Sequence, residues 1–359
     1  MKKLKVGVLG ATGTVGRRFV SLLAGHPWFE LSLLAASPRS EGKTYAETVS
    51  GKQPMDFELP ESVRGMTVHS VENAGFIADN VDFVFCALNM DKASVKELEE
   101  RYARLECPVI SNNSAHRLTD DVPMIIPELN PEHADIIHAQ RRRLNTNRGF
   151  IAVKSNCSIQ SYVPMLYPLH KLYGLKSAVV STYQAVSGAG RTLASFPEIN
   201  DNVIPYIGGE EEKSELEPLK VFGRIDGDRI VPDTRPKISA HCFRVPVSDG
   251  HTASVFASFN MKPELDEIRE TWESFSALDV MLPSAPERFI RYIDGLDRPQ
   301  PKLDRDAGGG MTVSVGRLER DSQFDISFVG LSHNTLRGAA GGAVLLAELL
   351  MHYGFIDAK

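Results

Sequence analysis

Residues 5–16 read KVGVLGATGTVG, and this stretch decides how the chain begins to fold. Its first half is a short apolar run typical of a buried strand, and glycines then interrupt the pattern. Apolar residues at helical spacing follow over 15–24, and a second strand-like run occupies 31–36. A strand, a glycine turn, a helix and another strand within about 30 residues predict a βαβ unit.

The alternation of strand and helix continues to about residue 150. Strand patterns at 81–88 and 108–110 flank a segment rich in Lys and Glu, which predicts a doubly wound parallel sheet of the Rossmann type. Beyond residue 150, runs such as 178–183 and 253–259 alternate apolar and polar residues. They predict an α+β domain with a mixed or antiparallel sheet covered on one face. The apolar helical pattern over 335–352 predicts a tail that packs back on the first domain.

Composition and charge exclude several classes of function. The 359 residues favour two domains. With 40 basic and 46 acidic residues, the net charge of −6 gives no electrostatic footprint for nucleic acid or an anionic membrane. No apolar stretch approaches the roughly 18 residues that span a bilayer. The four cysteines are widely spaced, which predicts reduced thiols in a cytoplasmic protein. The spacing of the His and carboxylate residues does not indicate a metal site.

The glycine turn is the first candidate binding site. Glycine lets backbone N–H groups approach an anion, and the start of the following helix adds a favourable dipole. The alternative is a tight turn that serves packing alone. The position of the glycine turn in the first βαβ unit favours a dinucleotide site. This site would be formed by Gly10, Thr12, Gly13, Thr14, Val15 and Gly16.

The end of the second strand indicates which dinucleotide binds. An NAD enzyme tends to place an acidic residue there for the ribose 2′-hydroxyl. Here Ser37, Arg39 and Ser40 come before the first carboxylate, Glu41. Two hydroxyls and a guanidinium suit a 2′-phosphate, which a carboxylate would repel. NADP is therefore favoured over NAD, with a polar surface loop as the alternative.

Cys157 is the candidate nucleophile. It lies in the stretch KSNCSIQ at 154–160, between a strand-like run at 150–153 and an apolar helical segment. A cysteine at the start of a helix gains thiolate character from the dipole. The alternative is a small buried hydrophobic residue, which Cys86 and Cys242 fit better because they lie inside apolar runs.

Further polar segments accompany Cys157 and carry a family resemblance. Arg244 and His251 end the stretch RVPVSDGH, and Gln184 precedes a second glycine turn. The sequence resembles aspartate-semialdehyde dehydrogenases, especially their archaeal and fungal branch, over nearly its whole length. Six ordered motifs carry the resemblance, namely GATG at 10–13, SNCS at 155–158, QAVSGAG at 184–190, EEEK at 210–213, RVPV with DGH at 244–251, and HNTLRGAAGG at 333–342.

The resemblance implies an NADP-dependent, phosphate-dependent conversion of L-aspartate 4-semialdehyde to L-aspartyl 4-phosphate, in the biosynthesis of lysine, threonine, methionine and isoleucine. Cys157 attacks the aldehyde carbon and becomes an acyl-thioester that phosphate cleaves. His251 takes and returns a proton, a task suited to a group that titrates near neutrality. Gln184 orients the thioester and the substrate.

The resemblance also implies a substrate site. Arg244 binds the α-carboxylate bidentately, for which Arg suits better than Lys. A glutamate of the run 210–212 binds the α-ammonium group, with Glu210 the preferred member, and Lys213 helps to bind inorganic phosphate. For each charged residue, an ordinary surface charge is the alternative. The predicted substrate site comprises Arg244, Glu210, Lys213, Arg117 (the family's other phosphate-binding arginine) and Asn113.

The remaining predicted cofactor contacts come from several loops. Asn334 resembles the family's contact to the nicotinamide end, with a helix cap as the alternative. The others are Leu88, Ser114, Ser187 and Gly188. The corresponding domain boundaries are 1–154 for an NADP-binding domain, completed by a C-terminal helix at 335–359, and 155–334 for a catalytic and dimerisation domain.

Two kinds of rival function share some of these features. Malonyl-CoA reductases and N-acetyl-glutamyl-phosphate reductases use related thioester chemistry, but an acyl-CoA offers no α-amino acid to Arg244 and Glu210. A non-catalytic NADP-binding scaffold would not need both Cys157 and His251. The resemblance implies a homodimer or homotetramer whose other partners are a small-molecule substrate and inorganic phosphate.

Overall fold

The computed structural model describes residues 2–52, 58–275 and 278–359. The first half of the chain forms a six-stranded sheet with neighbours in the order β3-β2-β1-β4-β5-β6, and every pair in it is parallel. Its strands are β1 (Leu4–Leu9), β2 (Phe29–Ala36), β3 (Val68–Ser70), β4 (Phe83–Cys86), β5 (Val109–Ser111) and β6 (Ile151–Val153). Short apolar stretches with few polar interruptions form these strands because both faces of the sheet are covered.

Helices connect these strands. In the first helix, Phe19, Val20 and Leu23 recur at helical spacing and are buried against the sheet, as the sequence pattern predicts. The helices are α1 (Thr14–Leu23), α2 (Tyr45–Val49), α3 (Glu61–Arg64), α4 (Ala74–Asn80), α5 (Lys92–Arg104) and α6 (Ile137–Leu144).

The strand order places a binding crevice between β1 and β4. The chain leaves β1 in one direction across the sheet and later continues beyond β4 in the other. Ligands bind at such a switch point, outside the carboxyl ends of the strands. Gly10 directly follows β1 with a φ of +84°, and a Cβ there would lie 2.3 Å from the carbonyl oxygen of Ala87, just after β4. Only glycine lets the two strand ends approach this closely.

The second half of the chain forms a mixed six-stranded sheet in the order β10-β7-β11-β14-β13-β12. The β10–β7 and β12–β13 pairs are parallel, and the other neighbours are antiparallel. The predicted fold class, a Rossmann-type sheet with an α+β domain, is confirmed. The remaining elements are α7 (Val163–Tyr173), β7 (Leu175–Gln184), α8 (Glu210–Val221), β8 (Arg224–Asp226), β9 (Arg229–Val231), β10 (Lys237–Arg244), β11 (His251–Phe259), α9 (Leu265–Ser274), β12 (Ile290–Ile293), α10 (Pro301–Asp304), β13 (Val313–Arg320), β14 (Ile326–Ser332) and α11 (Ala340–His352).

The register of the second sheet brings three polar residues to one edge. Gln184 and Arg244 end the parallel strands β7 and β10 and pair with each other. His251 begins the antiparallel strand β11, whose next residue, Thr252, pairs with Tyr183. Gln184 therefore meets the stretch from Arg244 to His251, which is distant from it in sequence, at one end of the sheet.

The C-terminal helix α11 joins the core of the first sheet. Its apolar residues share a buried cluster with Val8 and Phe19, and the helix contacts α1 and β5. It begins at Ala340, later than the apolar pattern from Thr335 suggests, because residues 334–339 form turns. In the parts of the chain that the structure describes, no helix has the length and apolar character needed to cross a membrane.

Candidate active site

Cys157 and His251 form the centre of the site. The Cys157 Sγ lies 3.4 Å from the Nε2 of His251, within hydrogen-bonding distance for sulfur. Cys157 is partly exposed, whereas His251 is fully buried at the start of β11. The strands bring together a thiol and an imidazole that are 94 positions apart. This is the arrangement of an activated cysteine nucleophile.

Contrary to the prediction from the sequence, Cys157 does not lie at the start of an α-helix. Cys157 precedes a four-residue 3-10 turn, Ser158–Ser161, and α7 begins only at Val163. Burial raises the pKa of the Cys157 thiol, and the carboxylate of Glu210 adds to this effect. The prediction that a helix terminus favours the thiolate was wrong, because the first helical turn lies too far along the chain. The cations Lys154, Arg117 and Arg244 oppose this rise in the pKa without reversing it.

His251 has a defined tautomer in this arrangement. Its Nδ1 accepts a hydrogen bond of 3.0 Å from the backbone N–H of Ala185. A neutral ring that accepts at Nδ1 carries its proton on Nε2, the atom that faces Cys157. Burial lowers the pKa of His251 well below its usual range, and nearby cations, Arg244 foremost, act in the same direction. The neutral ring therefore donates towards the sulfur.

Arg244 lies beside this pair and is 7% exposed. Its Nη1 donates to the carbonyl oxygen of Ala185 over 2.7 Å, which leaves other guanidinium nitrogens for a ligand. A Cβ on Gly188 would lie 2.9 Å from the Nη1 of Arg244 and 3.1 Å from the Nε2 of His251. The glycine turn after β7 therefore keeps a space open above both side chains.

Glu210 is the negatively charged residue near Cys157. It begins α8, and its carboxylate accepts hydrogen bonds from Asn156, Gln184 and Lys213 at 3.1, 3.3 and 2.7 Å. Burial acts to raise the pKa of Glu210, but Lys213 and the hydrogen bonds outweigh it, so the net shift is downwards. The neighbouring Glu211 instead accepts from the backbone N–H of Cys242. Glu210 is the carboxylate that faces Cys157.

Arg117 and Asn113 have other partners in this structure. The Arg117 guanidinium is buried and donates to Glu217 at 2.9 Å and to the backbone oxygens of Lys154 and Asn112. Asn113 donates to Glu99 and to the sulfur of Cys86. Both residues brace the segment around β5 and Cys157, and a phosphate or substrate contact for either stays a prediction.

Three residues near the nucleophile were not predicted from the sequence. The backbone N–H of Asn156 donates to Glu217, and its side chain contacts Glu210. Lys154 is buried two positions before it. Asn156 and Lys154 lie beside the nucleophile in the sequence, which was a usable signal. Glu217 carried none, because its link to Arg117 spans 100 positions.

The predicted cofactor turn lines a cleft of about 550 Å³ at the switch point of the first sheet. Its walls include Gly10, Thr12, Gly13, Ser37 and Leu88, together with the unpredicted Lys52 and Arg101. Thr14, Val15 and Gly16 form the first turn of α1. Arg39 and Ser40 lie in the short turn Pro38–Ser40 that follows Ser37.

The other predicted cofactor residues do not line this cleft. Asn334 is 2% exposed, accepts from the Gly250 backbone over 2.8 Å and donates to Ser187 over 2.8 Å. It links three loops and does not cap α11. Ser114 is half-buried in the loop after β5. A Cβ on Gly190 would lie 3.6 Å from the Oγ1 of Thr14, so the two glycine turns approach each other.

Comparison with known proteins agrees with this geometry. Family models described as "Semialdehyde dehydrogenase, NAD binding domain" and "Semialdehyde dehydrogenase, dimerisation domain" match residues 5–137 and 166–337. An aspartate-semialdehyde dehydrogenase from Methanothermobacter thermautotrophicus is 45% identical over 351 residues, 97% of this chain and 99% of that protein. The chain belongs to the aspartate-semialdehyde dehydrogenase family.

Fungal members of the aspartate-semialdehyde dehydrogenase family are also similar. The protein of that name from Aspergillus fumigatus is 40% identical over 364 residues, covering 99% of each chain. A crystal structure of aspartate semialdehyde dehydrogenase with NADP from Candida albicans has a TM-score of 0.89 and 37% identity, covering 99% of this chain and 100% of that one. The resemblance to the archaeal and fungal branch is confirmed. In the described ranges, no group of three or more His, Cys, Asp or Glu residues could hold a metal ion.

Proposed function

We propose that this protein is an NADP-dependent, phosphate-dependent aspartate-semialdehyde dehydrogenase that converts L-aspartate 4-semialdehyde to L-aspartyl 4-phosphate in amino-acid biosynthesis. The observation that carries the proposal is the Cys157–His251 pair, 3.4 Å apart, flanked by the cation Arg244 and the anion Glu210. A thiol nucleophile beside groups of opposite charge suits an aldehyde that carries an α-amino acid.

Substrate binding is assigned to the charged groups around the space above Gly188. Arg244 binds the α-carboxylate through the guanidinium nitrogens that do not contact Ala185. Glu210 binds the α-ammonium group, and Lys213, which donates to Glu210 over 2.7 Å, helps to bind the incoming phosphate. Gln184, at the end of β7, orients the thioester through its amide.

Catalysis by the chain's own residues follows from the tautomer of His251. The thiolate of Cys157 attacks the aldehyde carbon, a carbon–sulfur bond forms, and the carbonyl oxygen becomes an alkoxide. The Nε2–H of His251 donates to that oxygen and stabilises its charge. The sequence predicts that His251 also takes a proton. To do so at Nε2, the ring must first lose the hydrogen bond that its Nδ1 accepts from the Ala185 N–H. Formation of the acyl-thioester requires that the aldehyde carbon lose its hydride, and the alkoxide oxygen becomes a carbonyl oxygen again. Phosphate attack on that carbon would then break the carbon–sulfur bond, give the acyl phosphate and restore the thiolate.

NADP fits the cleft beyond β1 and β4. The glycine turn lines a crevice of about 550 Å³, and the start of α1 adds its dipole. Gly10, Thr12, Gly13 and Ser37 would hold the cofactor there. When bound, NADP⁺ supplies the hydride acceptor.

The assembly proposed is a homodimer formed through the open face of the second sheet, in a cytoplasmic protein. Val179 and Tyr183 are exposed on β7, and the ring of Tyr183 stacks on Phe243 of β10 at 5.7 Å. An exposed apolar face on the region matched by a dimerisation-domain model supports this proposal. Light scattering of V179D/Y183D against the wild type tests it, with monomers expected for the variant. A wild type that forms tetramers would add a second interface.

The activity is tested by following NADPH formation from aspartate semialdehyde with and without phosphate. We expect phosphate-dependent turnover that C157A lowers by roughly 10⁴-fold or more. Malonyl-CoA and NADPH form the second arm, and we expect no turnover with them. Full activity in C157A, or malonyl-CoA reduction at the same rate, would overturn the proposal.

A further inference from the structure

A buried glutamate joins the nucleophile segment to Arg117. Glu217 lies on α8 and is 1% exposed. One of its carboxylate oxygens accepts from the Nη1 of Arg117 over 2.9 Å, and the other accepts from the backbone N–H of Asn156 over 2.5 Å. Asn156 immediately precedes Cys157. Because the two oxygens belong to one rigid carboxylate, this single group fixes Arg117 relative to the backbone that carries the nucleophile.

Arg117 contacts the same segment a second time. Its Nε donates to the backbone oxygen of Lys154 over 3.0 Å, and its Nη2 donates to that of Asn112 over 2.9 Å. Within the part of the chain that the structure describes, these bonds and the one to Glu217 use three of the five N–H groups of the guanidinium. One hydrogen on each Nη is left for a ligand. A guanidinium with two such donors suits an oxyanion such as phosphate.

The helix α8 holds this arginine at two points. Glu217 and Lys220 are both buried and lie three positions apart, on one face of the helix. Lys220 donates to the backbone oxygen of Arg117 over 2.8 Å, while Glu217 binds the guanidinium. Glu210, at the start of the same helix, accepts from the side chain of Asn156 at 3.1 Å. One helix therefore fixes both Arg117 and the residue before the nucleophile.

We propose that Glu217 is a positioning residue that holds the guanidinium of Arg117 at a fixed place relative to Cys157, where Arg117 receives the anion that attacks the acyl-thioester. The proposal rests on the proposed function in one respect, namely that this anion is inorganic phosphate. Phosphate must reach the carbon that is bonded to the sulfur, and a misplacement of about 1 Å can lower a rate roughly 100-fold. Glu217 acts through its bonds to Arg117 and to the Asn156 backbone.

A carboxylate beside an arginine could instead weaken anion binding by neutralising its charge. The two roles predict opposite results. If Glu217 only neutralises Arg117, then E217Q should attract anions more strongly, and E217D, which keeps the charge, should behave like the wild type. If Glu217 positions Arg117, both variants should attract anions less. The amide of glutamine has one acceptor oxygen for two donors, and the shorter aspartate cannot reach both partners.

The test compares two reagents that alkylate Cys157, the anion iodoacetate and the neutral iodoacetamide, without substrate or cofactor. Both rates depend on the thiolate fraction, so the ratio of the iodoacetate rate to the iodoacetamide rate reports the attraction of an anion to the site. R117M sets the scale, and we expect its ratio to fall about tenfold. In E217Q and E217D we expect the ratio to fall about threefold or more. Peptide mass spectrometry assigns the alkylation to Cys157.

E128Q is the matched control, because Glu128 forms another fully buried pair with an arginine, Arg337. Breaking that pair should not lower the ratio. Circular dichroism and thermal unfolding establish which variants are folded. A folded E217Q with a ratio equal to or above that of the wild type would overturn the proposal. If E217Q does not fold, E217D decides the question, and a wild-type ratio in E217D has the same consequence.

Protection by inorganic phosphate separates this proposal from the proposed function. Phosphate should slow the alkylation of wild-type Cys157 by iodoacetate, and E217D should need about tenfold more phosphate for equal protection. The same phosphate requirement in both proteins would refute the positioning role. A lower ratio and weaker protection in E217D, in a protein whose wild type does not turn over aspartate semialdehyde, would contradict the proposed function alone.

Discussion

Two glycine turns, each at the end of a strand, have different roles in this protein. The first, at 10–16, follows β1 and lines the dinucleotide cleft. The second, at 188–190, follows β7 and passes over Arg244 and His251. A Cβ added to Gly10 in the first turn would meet the backbone of Ala87. A Cβ added to Gly188 in the second turn would meet the side chains of Arg244 and His251.

This difference separates requirements of folding from requirements of chemistry. A side chain at Gly10 meets backbone atoms that cannot move without opening the sheet. A side chain at Gly188 meets a guanidinium and an imidazole that can turn aside. A substitution at Gly10 should therefore lower stability, and one at Gly188 should lower activity in a protein that remains folded.

The largest effect is expected for Gly10→Ala. The backbone at position 10 has a φ of +84°, and the new Cβ would lie 2.3 Å from the oxygen of Ala87. The left-handed conformation alone costs about 1–2 kcal/mol for alanine, and the steric conflict adds several more. We expect G10A to lose NADP binding and to unfold at much lower denaturant concentration, as measured by urea titration.

Gly25→Ala is the matched control for that prediction. Gly25 has a similar φ of +78°, but nothing lies within 4 Å of a Cβ there. We expect G25A to lose only the about 1–2 kcal/mol of backbone strain and to bind NADP normally. Equal losses in G10A and G25A would show that the approach to Ala87 is unimportant.

Gly188→Ala should give the opposite result. Its Cβ would lie 2.9 Å from Arg244 and 3.0 Å from the nearest ring atom of His251, so both side chains must shift. A misplacement of about 1 Å can cost roughly 100-fold in rate. We expect kcat/KM to fall about 100-fold while the melting temperature changes little.

Gly190→Ala provides the contrast within the same turn. Gly190 has a φ of +68° and ordinary contact with Thr14. G190A should lose stability and retain more activity than G188A. If G188A lost stability while retaining its rate, the division of work between the two turns would be wrong.

The same contrast explains what the sequence could predict. The first turn was predictable because strand, glycines and helix are neighbours in the chain, as were the strands of the parallel sheet. Cys157 was singled out by its place between a strand pattern and a helical pattern. The roles of His251, Gln184 and Arg244 came from the resemblance, since no local pattern links a cysteine to a histidine 94 positions away. The dipole expected at Cys157 was wrong because the helix start could not be located to within a few residues. The role of Glu217 depends on tertiary contacts and had no local signal.

A smaller effect is expected for Arg244→Lys. The guanidinium already donates to Ala185 and has further nitrogens for a carboxylate, whereas one ammonium cannot bind bidentately. We expect the KM for aspartate semialdehyde to rise about 10- to 100-fold, with a smaller change in kcat. Arg235→Lys, on the surface before β10, is the control and should match the wild type. An unchanged KM in R244K would remove Arg244 from the carboxylate site.

The smallest effect is expected for Arg39→Ala at the edge of the first turn's cleft. Ser37 lines the cleft, while Arg39 is exposed on the next turn, so its contact to a 2′-phosphate is partly screened by water. We expect the KM for NADP⁺ to rise about tenfold and the KM for NAD⁺ to stay the same, because only NADP⁺ carries that phosphate. Arg64→Ala, another exposed arginine of this domain, controls for the general loss of positive charge. Equal increases for both cofactors in R39A would mean that Arg39 supports the turn and does not recognise the phosphate.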